Sequence, residues 1–499
     1  MVGFASFFTP FIDPKLLLLI ATGTFSGIYI GAIPGLSVTM AVSILISFTF
    51  SWEVLPALAL MSGIYMGGVY GGSRTAILLN IPGAPAAIAT SLDGYPLAKK
   101  GLAGEAIGIT TTVSFFGGML GLLVLGTAAP FVSEFAVRVQ PRDYMMLAVL
   151  GLLLVGSLSG ESLIKGVFAG AFGILIGTVG MDPLTVADRF TFGLDALRGG
   201  ISFVAVMIGM FGISEALVQL HDVHKEAMRQ KIDKIIPSWA TIMKHMPLTL
   251  RCSAIGVVIG ALPGTGGDIA ALMAYDHAKR TTKNPEVPFG EGAIEGLVAP
   301  EAANNAAVGG AYIPMMTLGI PGDSVTAIMI GALFIHGLNP GPMLMIEKPD
   351  MFWYILGSLT LGTIFMLIFG LTGIRIFVKM VEMPRTVLLP VIILLSIVGA
   401  YAVNNSLSDV YWMLAFGVLG YFMKCYGYQL GPVILGVILS RLLDDNWRRA
   451  IISDQESLWL LLKGVLTSPL SLILFGSILF LLVSKTKLWK SMFAKRAAA

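Results

Sequence analysis

Residues 256–273 read GVVIGALPGTGGDIAALM, and residues 27–44 read GIYIGAIPGLSVTMAVSI. Each is an apolar run cut by Pro-Gly, at Pro263-Gly264 in one and at Pro34-Gly35 in the other. Proline lacks a backbone N–H and clashes with the preceding turn, and glycine admits positive φ. Placed inside an apolar run, the pair unwinds or reverses a helix. The two stretches share the pattern G-x-x-I-G-A-[IL]-P-G, 229 residues apart.

A second pair follows in the same order. Residues 77–90, ILLNIPGAPAAIAT, carry Pro82-Gly83, and residues 316–329, MTLGIPGDSVTAIM, carry Pro321-Gly322, 239 residues on. A weaker third match pairs AGAFG at 169–173 with FGVLG at 416–420, at an offset of 247. Offsets that keep one order and grow slowly indicate an internal duplication with insertions. The expected organisation is a first half over 1–220, a basic linker over 221–246, a second half over 247–445, and an extra helix with a basic tail over 446–499.

Between the breaks, apolar segments recur from about residue 16 to residue 483. Of 499 residues 56% are hydrophobic and only 12% charged, with a mean hydropathy of +0.85. A soluble globular chain carries about twice that charge fraction. A net charge of +3 leaves no basic excess for nucleic acid. The N-terminus has no basic region before its first apolar run, so no cleaved signal peptide is expected. Cys252 and Cys425 lie in or beside apolar segments and read as buried thiols. No HExxH, GxSxG or Walker P-loop is present, so catalysis and ATP hydrolysis are not expected. The expected fold is an all-α polytopic membrane protein.

Paired interruptions at corresponding places in two halves point to the binding site of a secondary transporter. The positive-inside rule puts the linker, with Lys225, Arg229, Lys231 and Lys234, in the cytoplasm, together with the basic tail. Walking outward gives two inverted repeats with Pro-Gly-broken or re-entrant helices, about 11 spans plus hairpins. The segments read as 54–70 and 74–92 in the first half, and as 251–278, 292–312 and 313–337 in the second. Arg441, Arg448 and Arg449 fall outside in this walk, against the rule.

A helix N-terminus exposes unpaired N–H groups and about half a positive charge, so it binds anions without Lys or Arg. Ser37 and Thr39 follow the first break, Ala84 and Pro85 the second, Thr265, Gly266, Gly267 and Asp268 the third, and Asp323, Ser324 and Thr326 the fourth. Asn80 precedes the second break, and Asn304-Asn305 lies within 292–312. These groups suit a Na⁺ ion or a substrate carboxylate equally. Ser and Thr also bond back to their own helix, the structural alternative. Asp268 and Asp323, ionisable in apolar surroundings, are functional candidates. Arg74 has two readings, pairing a carboxylate or snorkelling to the interface. Glu295 and Glu301 are proton carriers or lie near a helix end.

IGAIPGLSVTMAVSI, YGGSRTAILLNIPGAPAAIATSLDGYPLAKKGLAGEAIG, IGALPGTGGDIAALMAYDHAKR, LVAPEAANNAAVGGAYIP and TLGIPGDSVTAIMIGALFIHGLNPGP together resemble the large membrane subunit of tripartite tricarboxylate transporters, from about residue 16 to 445. The resemblance implies a bacterial inner-membrane carrier that imports citrate or a related carboxylate. It implies Na⁺ or H⁺ as coupling ion and no other cofactor. The implied partners are a small membrane subunit and a periplasmic substrate-binding protein; a homodimer is also compatible. Some relatives carry an acid where this chain has Ala84, which counts against a symmetric pair of cation sites and leaves Asp268 and Asp323 as the stronger candidates.

On this reading the substrate contacts are Pro34, Gly35, Ser37, Asn80, Pro82, Gly83, Pro263, Gly264, Thr265, Gly266, Pro321 and Gly322. The coupling ion is expected at Asp268, Asn304, Asn305, Asp323 and Ser324. The rival reading is a non-transporting membrane scaffold or sensor whose repeats only build an interface.

Overall fold

The computed structural model describes residues 3–33, 36–80, 82–136, 139–158, 163–182, 187–221, 235–374, 385–453 and 457–484. Pro34 and Gly35 lie outside the described residues, as do linker residues 222–234. The described chain is α-helical apart from one two-residue ladder, in which β1 (Gly180–Met181) pairs antiparallel with β2 (Asp188–Arg189). Among the described residues, six helices are long and apolar enough to cross a membrane, and five shorter apolar helices of 10–17 residues accompany them.

The chain forms two compact units, 1–133 with 204–422, and 134–203 with 423–499. Each unit is built from two separate stretches of the sequence.

In the first unit the helices are α1 (Pro14–Ala32), α2 (Val38–Thr49), α3 (Val54–Leu79), α4 (Ala87–Lys99) and most of α5 (Ala103–Ala136). The second unit supplies α6 (Pro141–Leu158) and α7 (Leu163–Gly177). Back in the first unit come α8 (Trp239–Gly260), α9 (Gly266–Thr281), α10 (Glu295–Leu318), α11 (Ser324–Ile335), α12 (Pro349–Thr372), α13 (Arg385–Asn404) and most of α14 (Leu407–Cys425). The chain closes with α15 (Gly431–Ser453), α16 (Leu458–Thr467) and α17 (Pro469–Ser484) in the second unit. Ahead of α8, residues Phe203–His221 form a helix with a π turn at Ile208–Ile213.

The ends of α1, α3, α8 and α10 follow from local chemistry. Each stops two or three residues before a break proline, because the residue ahead of proline is pushed out of the helical region. Ile33 is extended, and Asn80 and Gly319 adopt left-handed φ of 54° and 72°. Two of the four restarts are capped by their own N-cap side chains. Ser37 Oγ accepts from Met40 N at 3.0 Å at the head of α2. Asp323 and Thr326 form a reciprocal capping box at the head of α11.

Two helix pairs form the centre of the first unit, α1 on α3 and α8 on α10. Both meet backbone to backbone through glycine. A β-carbon at Gly27 would lie 2.4 Å from Ile64 O, and one at Gly31 2.2 Å from Gly68 O. In the second pair, Gly256 stands 2.2 Å from Ala303 O and Gly260 2.3 Å from Ala307 O by the same measure. Gly27 and Gly256 are 229 residues apart and their partners Ile64 and Ala303 are 239 apart, the offsets of the Pro-Gly breaks. Small residues at such crossings permit the close approach that holds membrane helices together.

In the second unit, glycines again bring α7 and α15 together, with Gly436 against Gly170 O and Gly173 against Val433 O. Asp182, Arg189, Asp444 and Arg448 form one ion-pair network, with Arg448 to Asp182 at 2.7 Å. Arg448, one of the charges that broke the positive-inside walk, is thus held by two carboxylates.

Three expectations need correction. Helix α3 runs unbroken from Val54 to Leu79, where two segments meeting near residues 70–74 were expected. Its Gly71 and Gly72 are helical because they pack against Ile28 O and Ala84. Helix α8 begins at Trp239, inside the expected linker, capped by Ser238 on Thr241 N. Cys252 is buried, but Cys425 is exposed at the end of α14, where the chain turns at Gly427.

Candidate functional site

The four helices that restart after the breaks begin around one stretch of α3, residues 65–72. Val38, first residue of α2, packs on Gly68, and Ala84, ahead of α4, packs on Gly72. Asn304 of α10 donates from Nδ2 to Val69 O at 3.2 Å. Gly267 in the first turn of α9 lies against the Asn304 amide oxygen, and Gly266 against Asp323. Tyr65 OH donates to Asp323 Oδ2.

The two halves are stitched together here. Asp268 Oδ1 accepts from Ala86 N at 3.0 Å, so a second-half carboxylate caps a first-half helix that has no side-chain cap of its own. Asp268 is exposed, Asp323 is half-buried and Asn304 is buried. The geometry is therefore two carboxylates, one amide and several helix N-termini at one place.

Glycine is required at Gly264 and Gly266, with φ of 74° and 60°. Gly83 and Gly322 are required for closeness. A β-carbon would lie 2.3 Å from Gly31 O at the first and 2.6 Å from Gly260 O at the second. Pro82 is half-buried and Pro321 buried beside them, Pro263 is half-buried, and Asn80 is exposed. Ser324 is half-buried at the start of α11.

Other expected ligands have their bonds elsewhere. The Thr265 hydroxyl donates to Ile259 O and to Leu262 O, closing the end of α8, the helix it follows. Asn305 Nδ2 donates to Glu301 O at 3.0 Å, one turn back on α10. Arg74 neither snorkels nor reaches this place. It is buried, with Nε on Tyr70 OH at 3.2 Å and an NH₂ group on Gly370 O at 2.6 Å. It satisfies carbonyls at the end of α12. Glu295 does open α10, with His245 Nε2 at 3.6 Å, whereas Glu301 is buried further along the helix.

Sequence reasoning missed two tyrosines and one aspartate. Tyr65 and Tyr312 stack loosely, with ring centroids 6.0 Å apart, and the buried Tyr312 hydroxyl has no partner among the described residues. Asp93 is fully buried on α4. Its Oδ1 accepts from Gly290 N, Gly292 N and Ala293 N at 2.8–2.9 Å, and its Oδ2 from Tyr275 OH at 2.9 Å. The signal for Asp93 was an acid in an otherwise small and apolar helix turn, SLDGYP. Asp93→Ala strips four donors, three of them on buried residues, of their acceptor. We expect a loss of about 3–5 kcal/mol, read as a lowered apparent melting temperature of the detergent-solubilised protein. Asp93→Asn, which still accepts through one oxygen, should fall between.

Helices of membrane-spanning length, two glycine-packed pairs and broken segments meeting at one place define a multi-pass membrane protein of the transporter class. The chain belongs to the tripartite tricarboxylate transporter TctA family, whose profile matches residues 17–435. It is a membrane subunit of a transporter of that kind, and such systems have partner subunits, among them a binding protein and a small membrane subunit. The chain is similar to an uncharacterized 52.8 kDa protein in the TAR-I ttuC′ 3′ region of Agrobacterium vitis, 37% identical over 445 residues, 88% of each chain. It is also similar to an uncharacterized protein in the TAR-II ttuC′ 3′ region of the same organism. That match is 39% identical over 230 residues, covering 46% of this chain and 95% of the relative. No solved structure matches.

Proposed function

We propose that this subunit is a secondary active importer of carboxylates across the bacterial inner membrane, coupled to Na⁺ or H⁺. A periplasmic binding protein delivers the substrate, citrate or a related carboxylate. One observation carries the reading: the restarting helices present their N-termini to the place where Asp268 and Asp323 stand. Helix N-termini attract substrate carboxylates, whereas two aspartates repel them. Unit charges about 4 Å apart near a protein surface interact by roughly 4 kcal/mol. A cation on Asp268 and Asp323, completed by Asn304 and Ser324, removes that repulsion and makes a substrate site. Substrate and cation then raise each other's affinity, which is coupling.

The recurrence of the glycine contacts at offsets of 229 and 239 supports two repeats with a common design. The basic charges of the linker and tail support their being inverted.

The test is uptake of labelled citrate and a panel of other carboxylates into proteoliposomes. These contain this subunit, its small subunit and its binding protein, under imposed Na⁺ or H⁺ gradients. We expect gradient-dependent accumulation of at least one carboxylate. No accumulation of any, with every partner folded, sinks the proposal.

A further inference from the structure

Tyr312 on α10 is fully buried, and its hydroxyl has no partner among the described residues. A buried O–H left unpaired is costly, and a buried tyrosine usually finds an acceptor for it. Other buried tyrosines of the same unit do. Tyr65 OH donates to Asp323 Oδ2, Tyr354 OH to Leu55 O at 2.6 Å, and Tyr275 OH to Asp93 Oδ2 at 2.9 Å.

The unpaired hydroxyl belongs to the neighbourhood of the breaks. Gly322, the residue before Asp323, packs on Ala311, the residue before Tyr312. The Tyr312 ring lies 6.0 Å from that of Tyr65 and is tilted from it by 32°. The charge of Asp323 acts on both tyrosine hydroxyls. Asp323 is nevertheless engaged at both oxygens. Its Oδ1 accepts from Thr326 N and Thr326 Oγ1, each at 2.7 Å, and its Oδ2 accepts from Tyr65. The acceptor for Tyr312 therefore comes from outside the described chain. A phenol O–H bonds more strongly to a charged acceptor than to a neutral one. The helix starts gathered here favour an anion as well.

We propose that Tyr312 is a substrate-binding residue whose hydroxyl donates to a carboxylate oxygen of the substrate. The proposal rests on the carboxylate-importer reading above. With a cation on Asp268 and Asp323 the nearest negative charges are neutralised, and an entering carboxylate supplies the acceptor that Tyr312 lacks. A ligand with no acceptor at that point leaves the donor unpaired and is bound less tightly. Tyr312 thus adds to the preference for carboxylates without a basic side chain.

The consequence is that affinity and stability separate. Tyr312→Phe removes only the hydroxyl, and no group of the described chain loses a bond. Its melting temperature should equal or exceed that of wild type. Tyr65→Phe is the counterpart. It takes a donor from Asp323, so its melting temperature should fall.

The test is initial uptake in the proteoliposomes described above, at subsaturating concentrations of each carboxylate that the wild type accumulates, citrate first. Melting temperatures of the purified subunits are measured alongside. For Tyr312→Phe we expect uptake to fall roughly tenfold, the scale of one hydrogen bond to a charged group, with no loss of thermal stability. Unchanged uptake overturns the proposal and leaves a bound water as the partner of the hydroxyl. A clearly lowered melting temperature in Tyr312→Phe also overturns it, because the hydroxyl then has a partner within the protein. A wild type that accumulates no carboxylate fails earlier and differently, since it sinks the importer reading itself before any variant is compared.

Discussion

Asp323→Asn is expected to leave a folded protein whose carboxylate uptake falls on the order of 100-fold, the scale of a strong coupling between two sites. The argument turns on separating two jobs of one side chain. Asp323 caps α11 by accepting from Thr326 N at 2.7 Å, and Thr326 Oγ1 in turn accepts from Asp323 N at 2.9 Å. Asparagine caps as well as aspartate, so the helix and the break keep their shape. What asparagine removes is the charge, and with it the cation ligand proposed above and the acceptor that Tyr65 meets across the two halves. Asp323→Ala removes both jobs and should lower stability by about a further 1 kcal/mol through the lost cap. Initial uptake rates against Na⁺ and H⁺ gradients, with apparent melting temperatures alongside, check both. Wild-type uptake with unchanged cation dependence in Asp323→Asn would remove this residue from the coupling site.

What the chain discloses without coordinates is set by range. The four breaks were legible because proline acts on its own neighbours, and α1, α3, α8 and α10 end within three residues of a break proline. Ser37 and Asp323 were legible for the same reason, since each caps the helix that follows it. The unbroken course of α3 was not. Gly71 and Gly72 weaken a helix locally, and only their packing on Ile28 and Ala84 keeps them helical. Asp93, Tyr65 and Glu301 were missed or left undecided because their partners lie 182–258 residues away. Thr265 shows the converse. Its place after a repeated break suggested a ligand, yet its hydroxyl closes the helix it follows. Polar composition hid the start of α8, where Ser238 begins a helix among residues that read as linker.

Gly260→Leu should yield no monodisperse protein on size-exclusion in detergent, and Gly31→Leu should fail in the same way. At Gly260 the first carbon of any side chain would stand 2.3 Å from Ala307 O, and at Gly31 2.2 Å from Gly68 O. The obstacle is backbone inside a helix, which cannot swing aside as a side chain does. Each glycine is also the floor for a break, since Gly322 sits on Gly260 O and Gly83 on Gly31 O. Pushing the pair apart therefore displaces the Pro-Gly turn as well as the crossing. Overpacking a tight core costs about 1–3 kcal/mol when neighbours can yield, and here they yield only by parting the two helices, a little for alanine and widely for leucine. Alanine is the graded case. Its better helix propensity returns about 1 kcal/mol, so Gly260→Ala should fold with a lowered melting temperature. Gly476→Leu on α17 is the control, because nothing lies within 4 Å of the added carbon, and it should fold normally. Residues 31 and 260 stand 229 apart, the offset of the first pair of breaks. Equal failure at both, with none at Gly476, is the result expected if two copies of one helix pair carry the same packing. A well-folded Gly260→Leu would show that α8 and α10 do not depend on this contact and would break the parallel.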